Sequence, residues 1–272
     1  MKLNARTLRA KFNQASCSII RLRQPALQLD ESYGMLTVFH DYEGKYARAD
    51  KQEASLYGVS KILDLEQEYG VKATYNIVGK LMLDVPHIME RIIQGGHDVG
   101  SHSYSHNILA KLSRGELERD VRLMKDIFYS YGIELEGIRS PQSRWSFLQT
   151  KVMLENELVW SAENDKGYNP YIICKKSTRR LIRLPIILDD WEYMSGNISA
   201  DEMYAKLVLK VDILSERRLY GAIGFHPWVQ GEDDARLKVF GEFLKYVTEK
   251  ASLKTVTFSE ASVLARRTAA LA

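Results

Sequence analysis

Short β-rich runs alternate with amphipathic helical stretches from about residue 35 to the C-terminal end. This alternation limits the fold more than any other feature of the sequence. Met35 to Phe39 is β-rich. Glu53 to Glu68 carries Leu56, Val59, Ile62 and Leu63 at helical spacing and stops at Gly70, which takes a left-handed helix cap without steric cost. Val71 to Val78 predicts a second strand, Pro86 opens a helix that Gly95 and Gly96 close, and His97 to Gly100 predicts a third strand. Ser113 with Glu116, and Ser199 with Glu202, have the spacing of capping boxes, in which side chains satisfy the orphan amides of a helix start. Further strands are expected at Gly137 to Arg139, Leu158 to Ser161, Leu181 to Leu188, Tyr220 to Phe225 and Lys254 to Thr257. Helices are expected over Asp234 to Glu249 and from Ser259. Strands joined through helices imply an α/β protein with a parallel sheet, and seven or eight strands in one domain favour closure into a (β/α) barrel. Periodicity alone leaves the open sheet standing beside the barrel.

No repeat or Pro/Gly/Ser-rich linker divides the chain, so residues 31–272 are expected to form one domain behind a basic N-terminal segment, residues 1–30. That segment holds six Lys or Arg before its first acid, Asp30. Leu3, Leu8 and Phe12 give it a faint amphipathic pattern, compatible with a peripheral contact to an anionic membrane surface. A solvated entry segment is the plainer alternative. The whole chain is nearly balanced, with 38 Lys and Arg against 35 Asp and Glu. Such a balance lacks the dense basic stripe of a nucleic-acid binder, and no nucleic-acid partner is expected. No apolar run reaches the eighteen or more residues of a membrane span, and residues 1–29 lack the apolar core of a secretory signal. Two cysteines, Cys17 and Cys174, have neither metal nor redox spacing, which suits a reducing compartment. A cytoplasmic protein is expected, with the inner membrane face as the place for any contact through the basic segment.

The polar residues that stand out follow predicted strands: Asp41 and Glu43 the first, His102 and His106 the third, Arg139 the fourth. Asp189, Asp190 and Trp191 follow Leu181 to Leu188, and His226 follows Tyr220 to Phe225. In a parallel barrel these positions converge on one mouth. The spacing of His102 and His106 puts both imidazoles on one side of a helical turn, close enough to grip one ion. Two histidines and one carboxylate complete the three-ligand set of a hydrolytic zinc site, and a second nearby carboxylate can take a proton from water.

Together these residues resemble the polysaccharide deacetylases of the NodB-homology type, carbohydrate esterase family 4. Gly95-Gly96-His97-Asp98-Val99-Gly100-Ser101-His102-Ser103-Tyr104-Ser105-His106 is very similar to that family's second motif. Five motifs match in order from about residue 35 to 260. The resemblance implies a distorted (β/α)7-8 barrel and one divalent metal ion, most commonly Zn2+, held by two histidines and a carboxylate. By position, His102 and His106 are the imidazole ligands. The first motif, usually Thr-Phe-Asp-Asp-Gly, reads Thr37-Val38-Phe39-His40-Asp41-Tyr42-Glu43 here. The assignment is Asp41 as base and Glu43 as ligand, with the reverse left open, and Tyr42 beside the substrate. The third motif reads Arg139-Ser140-Pro141-Gln142, which implies that Arg139 pairs with the base and that the Gln142 amide receives the oxyanion. His226 matches the histidine of the fifth motif, the general acid. Asp190 orients it, with Asp189 as the alternate, and Trp191 forms an apolar wall. His40, His87 and His97 read as structural, although His40 lies beside the base and substrate contact is an option for it.

The implied activity is hydrolysis of an N-acetyl group on an amino sugar, yielding acetate and a free amine. The expected substrate is a lipid- or nucleotide-linked intermediate of a surface glycan such as O-antigen or capsule. Two alternatives stand beside it: a small-molecule amidase on the same barrel, and a degenerate, non-catalytic glycan-binding protein supported by the irregular first and third motifs.

Overall fold

In the computed structural model, which describes residues 24–165, 167–194 and 198–271, the first β-rich run extends into a nine-residue strand, β1 (Gly34–Tyr42), buried throughout. Asp41 therefore lies within the strand and does not follow it. The strands after it are β2 (Thr74–Ile77), β3 (Asp98–Ser101), β4 (Gly137–Arg139), β5 (Trp160–Glu163), β6 (Tyr171–Lys176), β7 (Arg179–Asp189), β8 (Tyr220–Phe225) and β9 (Leu253–Thr255). Parallel pairing runs from β1 through β2, β3, β4, β5, β7 and β8 and returns to β1, so seven strands close a barrel. The expected distorted (β/α) barrel is thus found in its seven-stranded form. Its distortion starts at β1, whose upper residues Phe39–Tyr42 pair with β2 while its lower residues Gly34–Leu36 pair with β9. β6 was not legible in the sequence; it pairs antiparallel with β7 on the outer margin of the circuit.

Side chains of a strand alternate between its two faces, and β1 sorts accordingly. Leu36, Val38 and Tyr42 join the large core cluster that the surrounding helices cover. Met35 and Phe39 join a second cluster with Trp160, Ala222 and the C-terminal helix Phe258–Leu271, in which Phe39 and Trp160 lie 5.3 and 5.0 Å from the Phe258 ring. The second cluster also takes in Leu27, whose amide donates to the Pro170 carbonyl at 2.8 Å. Trp160 needs small partners on the neighbouring strands: a Cβ on Gly137 would lie 1.9 Å from its ring.

The helices begin and end where the sequence sets caps. Helix Gln52–Tyr69 stops at Gly70 with φ of 66°, and helix Pro86–Gln94 starts on its proline. Both capping boxes form, at the starts of helices Arg114–Ser130 and Ala200–Arg217. Helix Asp234–Glu249 has the expected bounds, whereas helices Gly79–Asp84 and Phe147–Glu155 were not foreseen. No helix among the described residues is long and apolar enough to cross a membrane. The proposed amphipathic pattern of Leu3, Leu8 and Phe12, and Cys17, lie outside the described residues.

Candidate active site

The C-terminal strand ends bring Asp41, Glu43, His102, His106, Arg139, Asp190 and His226 to one mouth of the barrel. Glu43 Oε1 lies 2.9 Å from His106 Nε2 and 3.2 Å from His102 Nε2. Ligand atoms of these three residues all fall within 4.8 Å of one another, the one such group of metal-ligating side chains among the described residues. The other imidazole nitrogen of His102, Nδ1, is 2.8 Å from the Arg139 carbonyl, which leaves Nε2 for an ion. The second carboxylate oxygen of Glu43 accepts from the Trp228 indole at 3.1 Å. Burial works against ionising Glu43, but hydrogen bonds from His102 and His106 outweigh it and hold its carboxyl well below the usual range. A carboxylate pinned at one oxygen and facing two oriented imidazoles with the other suits a divalent cation such as zinc.

Asp41 stands beside this group. Its Oδ1 accepts from Asn76 Nδ2 at 3.1 Å, and its Oδ2 lies 3.3 Å from Arg139 Nε and 3.7 Å from His226 Nε2. Arg139 is 3% exposed. Burial disfavours its charge, yet Asp41 and Glu163 together raise its pKa, so the guanidinium stays charged. On the far side of the imidazole, His226 Nδ1 meets Asp190 Oδ1 at 2.6 Å, while Asp190 Oδ2 accepts from the His226 amide at 2.8 Å and from Gln230 Nε2 at 2.6 Å. Burial alone would lower the pKa of His226; the Asp190 charge and hydrogen bond overcome it and lift it to about 10.

The histidine pair is held by a different local geometry from the one the spacing suggests. Residues 102–106 form no helical turn; Ser103 and His106 take left-handed φ of 62° and 60°, and the loop is held by the Tyr104 amide donating to buried Asp120 at 3.0 Å. Burial raises Asp120 to about 6. Tyr42 does not face the mouth. It is fully buried, because the alternation that points Asp41 inward sends Tyr42 to the helix-covered face, and the expectation of substrate contact fails. His40 shares that outer face and binds Glu66 at 2.7 Å, so it is structural. Asp190, and not Asp189, touches His226; Asp189 accepts from the Trp191 amide at 3.2 Å. Trp191 is 53% exposed, with its ring 6.1 Å from that of His226. Gln142 is exposed in a turn where it and Ser143 take φ of 59° and 51°.

Three residues of the site escaped the sequence reading. Asn76 is the register partner of Asp41 across β1 and β2, and a lone asparagine in an apolar strand was the available signal. Glu163, fully buried at the end of β5, accepts from Arg139 Nη1 at 3.1 Å and from the Ser140 amide at 3.2 Å. Trp228 follows the His226-Pro227 pair, where its indole N–H reached no visible partner in the sequence.

Residues 56–159 match the family model described as polysaccharide deacetylase. A peptidoglycan-N-acetylglucosamine deacetylase of Bacillus cereus is 33% identical over 106 residues, an alignment covering 39% of this chain and 36% of that protein. In Listeria monocytogenes the peptidoglycan-N-acetylglucosamine deacetylase PgdA is 28% identical over 118 residues, 42% of this chain and 25% of the relative. The chain thus spans about a third or less of these relatives' lengths. Among solved structures, one from Pseudomonas aeruginosa PAO1, described as a probable polysaccharide deacetylase, superposes with a TM-score of 0.81 at 14% identity, covering 89% of this chain and 95% of that one. Puue allantoinase gives 0.78 at 15% identity, covering 88% and 93%. At these identities both show the barrel and nothing finer.

Proposed function

We propose, from the match of residues 56–159 to the polysaccharide deacetylase family model, that the protein hydrolyses the N-acetyl group of an amino sugar in a cell-surface glycan or its biosynthetic intermediate. The observation that carries this reading is the meeting, at one barrel mouth, of the Glu43–His102–His106 group with Asp41 and His226, 3.7 Å apart. An amide needs a polarised carbonyl, an activated water and a proton for its poor leaving group, and these residues answer each need.

Glu43, His102 and His106 would hold a divalent ion, zinc foremost, which would supply Lewis acidity toward the acetyl carbonyl and water. Asp41 takes the proton of the attacking water, held in place by Asn76 and by Arg139 3.3 Å away. The Gln142 amide donates to the oxygen on which negative charge develops. His226 delivers the proton from Nε2 to the sugar nitrogen, because Asp190 occupies its Nδ1. The C–N bond breaks, a C–O bond forms, and acetate leaves with a free amine. Exposed Trp191 offers a face on which a sugar ring stacks.

The curated relatives carry peptidoglycan N-acetylglucosamine in their names, which supports a glycan substrate; within that class our reading keeps O-antigen or capsule intermediates, met at the cytoplasmic membrane face. The test is acetate release from N-acetylglucosamine oligomers, peptidoglycan fragments and nucleotide-linked N-acetyl sugars, with Asp41→Asn beside the wild type. Release from at least one, abolished in the variant, supports the reading. Release from small cyclic or linear amides alone transfers the chain to the amidase alternative. Glycan binding that survives Asp41→Asn and chelation, without acetate, identifies a non-catalytic binder.

A further inference from the structure

We propose that the floor of the barrel, opposite the candidate active site, carries an anion site built for a phosphate group. β7 runs from Arg179 at the floor to Asp189 at the mouth, which at about 3.3 Å per residue separates the two ends by roughly 30 Å. At the floor, Thr178, Arg179, Arg180 and Arg266 share a cavity of about 250 Å³ with one acid, Glu157, and with apolar walls that include Leu154 and Leu158. Arg180 also lines an adjoining cavity of about 580 Å³, together with Lys175 and Ser177.

The charges of this floor are unevenly answered. Arg179 Nη2 meets Glu157 at 2.7 Å. Arg180 and Arg266 are both half-buried, and among the described residues neither has a carboxylate within ion-pair distance. Two guanidinium groups lining one small cavity repel each other, and an anion between them relieves that repulsion. Guanidinium forks pair their N–H donors with phosphate oxygens, and the Thr178 hydroxyl adds a neutral donor. Donors arriving from Arg180, Arg266 and Thr178 suit a tetrahedral anion better than a planar carboxylate, which one fork satisfies. The apolar wall suits the organic part of a phosphate monoester. The chain reaches this face at Gln24, which lines the larger cavity, and the 23 residues before it in sequence hold six Lys or Arg and no acid.

Isothermal titration of the full chain with inorganic phosphate at low ionic strength tests the site. Saturable binding is expected, weakened at least tenfold in Arg180→Gln/Arg266→Gln and unchanged in Lys238→Gln/Lys245→Gln on the distant helix Asp234–Glu249. Arg266→Lys keeps the charge and loses the fork, and an intermediate loss is expected; this variant carries the test if melting curves show the double variant unfolded. Co-sedimentation with phosphatidylcholine vesicles containing phosphatidic acid, lost in the same variants, makes the ligand a lipid headgroup. Phosphate binding without vesicle binding makes it a soluble monoester. Absence of saturable phosphate binding overturns the proposal, and so does binding that survives in folded variants, because Glu43, His102 and His106 remain intact in them.

Discussion

Glu163 holds Arg139 and the backbone beside it at the same time: its Oε2 accepts from Arg139 Nη1 at 3.1 Å and its Oε1 from the Ser140 amide at 3.2 Å. One buried carboxylate thereby fixes the guanidinium that faces Asp41 and the start of the turn that carries Gln142. Behind it, Arg183 lies 3.5 Å from Glu163 and stacks on Trp145 at 4.4 Å. Glu163→Gln keeps the shape and removes the charge. The expected outcome is a kcat lower by roughly tenfold to a hundredfold with little change in KM, the signature of misplaced groups around intact substrate contacts. Steady-state kinetics on a substrate found by the acetate screen decide it; an unchanged kcat removes Glu163 from the machinery.

The Asp190–His226 contact fixes a pH dependence. His226 is lifted to about 10, above the ordinary 6.5, so in its proposed role as proton donor it is protonated through neutrality, and activity is expected to fall only as pH rises past its pKa. In Asp190→Asn the leading stabiliser of the imidazolium is gone, and the basic limb of the pH–rate profile moves down by at least one unit. Stability follows the same sign. A histidine with a raised folded pKa contributes fully below pH 6.5 and loses that contribution between 6.5 and about 10. Melting temperatures of chelated wild type are therefore expected to decline across that window, and those of Asp190→Asn to decline less.

Metal retention is the third outcome to measure. About one equivalent of a divalent ion is expected in protein purified without added metal, and none in His102→Ala/His106→Ala. Trp228→Phe removes the donor to Glu43 Oε2 while preserving an aromatic ring, and loss of such an outer hydrogen bond weakens binding by about 10–100-fold. Elemental analysis and competition with a chromophoric chelator give both values. Unaltered affinity in Trp228→Phe would show that Glu43 needs no support from the indole.

Much of this arrangement was legible because it is local. The capping boxes at Ser113 and Ser199 need only side chains three residues apart, and β8 and the helix Asp234–Glu249 are marked by their own residues. The mouth was legible because strand ends in a parallel barrel share one side. Tyr42 was misread although a period of two, applied to Asp41, already sends it outward. The turn at residues 102–106 misled because HxxxH spacing fits a helix, while the structure brings the imidazoles together through two left-handed residues. Asn76, Glu163 and Trp228 stayed hidden for a different reason: each reaches a partner on another element, at separations of 35, 24 and 185 residues. No local pattern encodes such pairs.

Tight backbone packing sets the position of His226, the proposed proton donor, and glycine substitutions test it. The short helix Pro227–Gln230, which follows His226 and contains Trp228, lies directly on helix Gln52–Tyr69. A Cβ on Gly58 would come 1.9 Å from the Pro227 carbonyl oxygen, and one on Gly231 would come 1.9 Å from the Ala54 carbonyl oxygen. Backbone oxygens cannot rotate aside, so Gly58→Ala must push the short helix away from the long one, at a cost of about 1–3 kcal/mol for overpacking. His226 and Trp228 move with the short helix, so both proton delivery and the Glu43 contact should suffer. The expected result is a lower melting temperature together with a reduced kcat and weaker metal retention. Gly115 provides the contrast. It sits in helix Arg114–Ser130 with nothing within 4 Å of an added Cβ, so Gly115→Ala should stabilise by about 0.5–1 kcal/mol through helix propensity and leave kcat alone. If Gly58→Ala lowers stability and spares both kcat and metal binding, the close approach serves the fold and not the placement of His226.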